Sequence, residues 1–198
     1  QESERLSNIV DDVLDLSRSE AGRLSLTLGP VALEPLAAEL IAKFIPHHPT
    51  HSFSLRIPPG FPEIWADAGK LTQTLYNLVD NAAKYSTQGG QVEISAREDE
   101  TGEKAIIGVA DRGMGIPEAE MSRLFTRFHR ILRPETDGIR GTGLGLYIVK
   151  SLVEIMGGRV WVESEVNRGS TFYVALPLAE TALKRKESDA DKENPTGR

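Results

Sequence analysis

The sequence predicts an α+β fold, in which helices and strands are mixed along one chain of 198 residues. Several segments place apolar residues at alternating spacings of three and four, which indicates amphipathic helices. Other segments alternate apolar and polar residues, which indicates half-buried strands. Two glycine-rich runs, 111–115 and 141–145, interrupt these patterns. A hydrophobic content of 39% is enough for one core, so we expect one main domain with small appendages.

Composition excludes several classes of protein. The formal net charge is -6 and the chain has no long basic run, which argues against a nucleic-acid partner. There is no cysteine, so disulfides and thiolate metal sites are excluded. No apolar run approaches the roughly 20 residues that span a bilayer, and the first residues do not resemble a signal peptide. We expect a cytoplasmic segment without direct membrane contact, although its parent protein could be membrane-anchored or soluble.

The first element is an amphipathic helix over residues 2–20. Its apolar stripe contains Leu6, Ile9, Val13 and Leu16. Two interpretations stay open from spacing alone: the helix packs on its own domain, or it belongs to a bundle whose other helices lie outside this chain.

The next elements alternate between strands and helices. A short strand is expected over 24–31, a helix over 33–44, and a strand around Phe53, Leu55 and Ile57. A longer helix follows over 69–85, and then come strands over 91–97 and 104–110.

Residues 117–140 are less regular, with Pro117, Pro134 and Gly138 among several charges. This composition predicts a short helix and a mobile segment, as is typical of lids. A helix over 143–156 and strands over 159–163 and 170–176 follow. Beyond Pro177 the chain is too polar and charged to fold, so a disordered tail is expected over 179–198.

The glycine-rich runs indicate a nucleotide site. Asp111 ends an apolar strand, where its carboxylate can accept a hydrogen bond from an exocyclic amine, and nearby glycines let the backbone approach a flat ring. The run from Gly141 to Gly145 opens a helix, where free N–H groups favour phosphate. That run does not directly follow a strand, as a dinucleotide-binding fold requires, and it lacks the ending of a P-loop. The combination predicts ATP.

The helix over 69–85 carries a second polar set. Asn77 and Asn81 are four residues apart, and Lys84 and Tyr85 follow one turn later. Amide oxygens suit a Mg²⁺ ion that keeps water and phosphate oxygens as its other ligands, and Lys84 can neutralise phosphate. Alone, this stripe could equally be a solvated helix face; beside the two glycine runs it favours a binding site.

Five segments in order resemble the C-terminal catalytic part of bacterial sensor histidine kinases. They are the N box 77–86, the first glycine box 111–115, the F box 124–130, the second glycine box 141–146 and the closing 169–171. The resemblance covers 30–178 and implies a Bergerat-type, two-layer α/β sandwich. In that fold, helices cover one face of a mixed sheet, and an ATP lid lies between the helices of the N box and the second glycine box. It also implies that 1–24 is a remnant of the dimerisation bundle.

The resemblance implies a role for each motif residue. Asn81 would ligate Mg²⁺; Asn77, Lys84 and Arg130 would act on the phosphates during transfer; Tyr85 would border the pocket. Asp111 would bind the adenine amine, with Gly113, Gly115 and Ile116 beside the ring and Thr171 closing the adenine side. The phosphate turn would comprise Gly141, Thr142, Gly143, Leu144, Gly145 and Leu146. Phe125 and Phe128 would anchor the lid or contact the bundle.

The resembled family transfers the γ-phosphoryl group of ATP to a histidine on a dimerisation helix and then to a response regulator. None of the four histidines here, His47, His48, His51 and His129, has the sequence context of that acceptor. We therefore expect a homodimeric parent kinase whose acceptor bundle lies outside this chain, and no self-phosphorylation by the chain alone. Two alternatives remain: an ATPase or serine kinase of the same fold, disfavoured because Asn77 cannot act as a base, and a nucleotide-sensing interaction module.

Overall fold

A computed structural model describes residues 25–87, 89–131, 136, 139 and 141–184. The helix expected over residues 2–20, and the bundle remnant 1–24 that contains it, lie outside the described residues. Within the described part, no helix is both long enough and apolar enough to cross a membrane.

The fold centres on a five-stranded mixed sheet. Its strands are β2 (His51–Arg56), β4 (Gly90–Glu98), β5 (Lys104–Ala110), β6 (Arg159–Glu165) and β7 (Gly169–Pro177). Their spatial order is β2-β4-β5-β7-β6. The β2–β4 pair is parallel and the other pairs are antiparallel. Two short strands, β1 (Gly29–Val31) and β3 (Ile64–Ala66), form a separate antiparallel ribbon.

Among the described residues, the helices that lie between or beside these strands are α1 (Leu33–Phe44), α2 (Ala68–Tyr85), α3 (Glu118–Met121) and α4 (Gly145–Ile155). A 3-10 turn, Ile45–His47, ends α1 where Pro46 cannot continue the helix. Asp67 caps α2, because its Oδ1 accepts the backbone N–H of Lys70 at 3.1 Å.

The core lies between α2, α4 and one face of the sheet. Leu71, Leu75 and Leu78 of α2 are fully buried, as Val149 and Val153 of α4 are. The facing side chains of the sheet are alternate residues of the central strands, since neighbouring residues of a strand point to opposite faces: Val92, Ile94, Ile107, Val109, Val174 and Leu176. This confirms the α+β sandwich with helices over one face of a mixed sheet.

The entry to the domain differs from the sequence prediction. Within the described residues 25–31, only Gly29–Val31 forms a strand, because its partner β3 is three residues long. Leu26 and Leu28 still pack against the core, and the N–H of Thr27 donates to Asp67 Oδ2 at 2.8 Å. The strand β3 was not predicted, since three residues after a Pro-rich turn carry too little alternation to identify a strand.

The exit from the domain also lies at β3. Leu178 forms an isolated bridge with Ile64, and the N–H of Ala179 donates to the carbonyl of Glu63 at 2.8 Å. Residues 179–184 are helical, whereas the sequence assigned them to a disordered tail. Ala179 is buried, so the helix begins with an apolar contact. The charge-rich composition of the tail gave no indication of this contact. Residues 185–198 lie outside the described residues.

Candidate nucleotide-binding site

A cleft opens beside the second half of α2, at the point where β5 ends and β7 begins. Every motif contributes to its lining, the second glycine box through Leu146 alone. The lining residues are Asn81, Tyr85, Asp111, Met114, Gly115, Ile116, Leu124, His129, Arg130, Ile131, Thr136, Leu146, Ser170 and Phe172. The lining combines six apolar side chains with seven that carry a polar group. Such a lining suits a flat heterocycle with a polar edge.

Asp111 is the acidic group of this cleft. The turn after β5 fixes its carboxylate, because Oδ1 accepts the N–H of Gly113 at 2.7 Å. Its own N–H donates to the carbonyl of Ser170 at 2.8 Å, which joins this turn to β7. Burial raises the pKa of the Asp111 carboxyl, and the N–H groups of Gly113 and Ser170 oppose that rise. A held carboxylate among apolar walls is suited to an exocyclic amine.

The glycines after Asp111 serve close backbone contacts. A Cβ at Gly113 would lie 2.3 Å from the carbonyl oxygen of Tyr85, and one at Gly115 would lie 2.0 Å from that of Glu165. Gly115 also has φ +64°, a conformation that glycine adopts without strain. Gly115 lines the cleft, whereas Gly113 is not among its lining residues. Gly113 lets the turn pack against the end of α2, and its place beside the ring stays a prediction.

Asn81, Tyr85 and Arg130 form a polar wall of the cleft. Burial raises the pKa of the Tyr85 hydroxyl, and the positive charge of Arg130 opposes that rise. Arg130 donates from Nη2 to the carbonyl of Ile139 at 2.6 Å. This contact helps to fix the guanidinium beside the cleft.

Asn77 lies beside the second glycine run. A Cβ at Gly145 would be 3.3 Å from Asn77 Oδ1, so the first residue of α4 packs directly against this amide. Leu144 provides no side-chain cap to α4, which leaves the N–H groups of the first turn available to an anion. The structure thus brings the N box and the phosphate turn together, as the sequence predicted, although Asn77 itself is outside the cleft lining.

The turn before α4 has its own local contacts. Thr142 Oγ1 accepts the N–H of Leu144 at 3.3 Å, and Leu144 is buried. Gly143 has φ +73° and packs against the backbone of Phe128. A Cβ at Gly141 would meet nothing within 4 Å, so packing within the described residues does not require glycine there.

Lys84 is paired within α2 and lies outside the cleft lining. Its Nζ forms an ion pair with Asp80 Oδ2, one turn earlier on α2, and Lys84 is not among the residues that line the cleft. The i,i+4 spacing of opposite charges explains this pair. The sequence analysis assigned no role to Asp80, which lies within the N box.

Ser170, rather than Thr171, faces the cleft. Neighbouring residues of β7 point to opposite faces, and Phe172 is on the cleft side with Ser170. Thr171 instead has a side-chain interaction with Tyr173 on the other face of the sheet. Ser164 accepts the N–H of Ile116 at 2.8 Å and contacts the Ser170 hydroxyl at 3.0 Å. The alternation of β7 was readable from the sequence and would have identified Ser170.

The F box supplies both packing and polar contacts. Phe125 meets Phe172 edge-on at 6.4 Å, whereas Phe128 is 71% exposed and has φ +58°. Arg127 stacks over the ring of Tyr147 and donates to its hydroxyl at 2.9 Å. His129 contacts Glu120 Oε2 at 3.0 Å and lines the cleft, a position that the sequence assigned to packing or to the lid.

Comparison with known proteins agrees with this geometry. Residues 66–180 match the family model described as histidine kinase-, DNA gyrase B- and HSP90-like ATPase. The chain therefore belongs to this family, and it is an ATP-binding catalytic domain of the sensor histidine kinase kind.

Curated relatives are sensor kinases. The chain is 33% identical over 192 residues to sensor histidine kinase WalK of Bacillus subtilis, covering 96% of this chain and 31% of WalK. It is 36% identical over 178 residues to the circadian input-output histidine kinase CikA of Synechococcus elongatus, covering 88% of this chain and 23% of CikA. The chain thus spans a third or less of the length of these two relatives.

Solved structures share the fold. Full-length ShkA in complex with AMPPNP superposes with a TM-score of 0.77 at 33% identity, covering 88% of this chain and 36% of that chain. The catalytic domain of histidine kinase ThkA superposes with a TM-score of 0.66 at 25% identity, covering 77% of this chain and 99% of that domain.

Proposed function

We propose that this domain binds Mg·ATP and donates its γ-phosphoryl group to a histidine on a dimerisation helix of its parent kinase, as one step of two-component signalling. The observation that carries the proposal is the cleft in which Asp111 and Ser170 meet the N-box residues Asn81 and Tyr85. The complex of the similar protein ShkA with AMPPNP supports a nucleotide as the ligand.

The adenine end of the cleft would lie against Asp111. Its carboxylate would accept the exocyclic amine, while Gly115, Ile116 and Leu146 would border the ring. The Ser170 hydroxyl would add a donor or acceptor on the same side, held there by Ser164. A ligand whose ring carried a carbonyl in place of that amine would be disfavoured, since two acceptors would then face each other.

The phosphates would extend toward the start of α4. There they would meet N–H groups of residues 141–146 and the positive charges of Arg130 and Lys84. Asn81 and Asn77 offer amide oxygens beside this path, which fits a Mg²⁺ ion that keeps water and phosphate oxygens as ligands. Among the described residues no cluster of three His, Asp or Glu could hold a metal alone. When bound, Mg²⁺ would neutralise charge on the phosphates.

The chemistry favours transfer over hydrolysis. Asn77 has no acid-base function, so it cannot activate water for attack on the γ-phosphate. Catalysis would depend on positioning and on charge neutralisation by Lys84 and Arg130.

The acceptor would be supplied from outside the described domain. His51 lies in β2 with Nε2 3.1 Å from the carbonyl oxygen of Ser86, and His129 is engaged with Glu120. His47 and His48 lie at the short turn after α1. None of these is on a helix that could carry a phosphoacceptor, which supports a histidine of a separate bundle as the acceptor. In our proposal, that bundle belongs to a homodimeric, cytoplasmic kinase region, and a response regulator is the next partner.

The test uses the chain with γ-labelled ATP and Mg²⁺, with and without a separately produced acceptor bundle from the parent kinase. We expect label on the bundle, no acid-labile label on the chain alone, and little phosphate release. A bundle variant with its histidine replaced by glutamine is the control. Rapid phosphate release without labelling of the bundle would identify an ATPase instead and contradict the proposal.

A further inference from the structure

We propose that Asp80 limits the affinity of the domain for ATP, because its carboxylate competes with the phosphates for the ammonium group of Lys84. The inference rests on the proposed function, since it takes Lys84 to be a phosphate ligand. Asp80 would act through Lys84 and would not itself contact the nucleotide.

The two side chains form an ion pair along α2. Lys84 Nζ donates to Asp80 Oδ2, and the side chains are 39% and 22% exposed. Each is next to a residue of the cleft: Asp80 precedes Asn81, and Lys84 precedes Tyr85. Neither side chain lines the cleft itself, so the pair lies on α2 beside these lining residues and within reach of solvent.

A pair of this exposure is weak, so a ligand with several negative charges can displace the carboxylate. Lysine suits such an exchange, because its ammonium is a point charge on a flexible chain without a fixed donor geometry. By competing for the ammonium group of Lys84, the carboxylate lowers the affinity and eases release of the nucleotide.

A double-mutant cycle tests the inference, with Asp80→Asn, Lys84→Met and the double variant. The affinity of each for Mg·AMPPNP is measured by calorimetry. We expect Lys84→Met to weaken binding about tenfold or more and Asp80→Asn to tighten it about threefold to tenfold. In the Lys84→Met background, Asp80→Asn should change affinity by less than about twofold, because the competition is then absent.

A matched control is available on α1. Glu39 and Lys43 form an exposed i,i+4 pair of the same orientation, with Nζ and Oε1 2.7 Å apart. Glu39→Gln changes the net charge by the same amount as Asp80→Asn and should leave the affinity unchanged. Raising the salt concentration should shrink the effect of Asp80→Asn, since screening weakens exposed charges.

The outcomes distinguish the phosphate role of Lys84 from the competition by Asp80. Unchanged affinity in Lys84→Met would contradict the phosphate role of Lys84 in the proposed function. If Lys84→Met weakens binding but Asp80→Asn does not tighten it, or tightens it equally in both backgrounds, the inference about Asp80 is wrong. Melting temperatures of all variants within about two degrees of the parent would establish that the differences arise at the site.

Discussion

At the scale of single residues, Asp111 combines a cost in folding stability with its proposed role in binding an amine. Its carboxylate is placed in an apolar cleft and keeps the N–H of Gly113 as a partner. Burial raises its pKa in the folded state. The folded protein therefore holds this proton more tightly than the unfolded chain, and stability falls as the pH rises through that raised pKa. At neutral pH the ionised carboxylate destabilises the domain, although it is the form that binds an amine.

Asp111→Asn should separate these two effects. We expect the affinity for Mg·AMPPNP to fall about tenfold to a hundredfold, because a charged acceptor is lost. The melting temperature at pH 7 should stay level or rise, since an amide oxygen can still accept from Gly113 without carrying charge. Calorimetry and thermal unfolding measure the two quantities; a lower melting temperature together with weaker binding would instead indicate a structural role.

Ser170 and Thr171 provide a matched pair on opposite faces of β7. Ser170→Ala removes the hydroxyl that lines the cleft and should weaken nucleotide binding about threefold to tenfold. Thr171→Val keeps the shape of the side chain on the other face and should leave affinity unchanged. The reverse ranking of the two variants in a binding titration would show that Thr171 forms the adenine wall after all.

At the scale of elements, the turns hold the site more rigidly than their glycine content suggests. The loop after β5 packs against the end of α2 through Gly113 and against the β6–β7 turn through Gly115. The N–H of Met114 also donates to the carbonyl of Tyr85 at 3.3 Å, and that of Asn167 donates to the carbonyl of Met114 at 2.8 Å. Gly113 and Gly115 therefore let the end of α2, the loop after β5 and the β6–β7 turn meet around the cleft. Of these two glycines, Gly115 alone lines the cleft.

Gly115→Ala should be destabilising because it combines two costs. Its φ of +64° strains a side chain, and the new Cβ would lie 2.0 Å from the carbonyl oxygen of Glu165. We expect a loss of about 3 kcal/mol or more in the free energy of unfolding. Gly60 has a similar φ of +71° with nothing within 4 Å, so Gly60→Ala should cost only about 1 kcal/mol. Urea unfolding of both variants checks the difference; equal losses would mean that the contact with Glu165 yields.

Sequence patterns predicted the long elements well and the short ones poorly. The helix α1 covers the predicted residues 33–44, and α2 begins one residue before the predicted start, because apolar periodicity over three or more turns is a strong signal. The strand β3 and the short β1 depend on each other and on a bridge to Leu178, contacts that are distant in sequence. Likewise, the motifs identified Asp111 and Asn81, whereas Phe172, which lies outside the five motifs, enters the cleft through tertiary packing.

At the scale of the whole molecule, the site depends on three parts of the chain that are far apart in sequence. Asn81, Asp111 and Ser170 come from α2, the end of β5 and the start of β7, and the order of strands makes them neighbours. The central position of β5, between β4 and β7, places Asp111 between the other two parts. A nucleotide in the cleft would therefore contact most of the fold, and its binding should stabilise the domain as a unit.

The meeting of entry and exit at β3 has a further consequence. Ile64 pairs with Val31 of the incoming strand and bridges Leu178 of the outgoing segment, so the two ends of the domain share one partner. Because the two ends of the domain meet at Ile64, the order of the elements should matter more for folding than the position of the chain termini. A permuted chain, with residues 27 and 180 joined by a short Gly-Ser linker and new termini between Glu100 and Thr101, should unfold cooperatively and keep its affinity for Mg·AMPPNP.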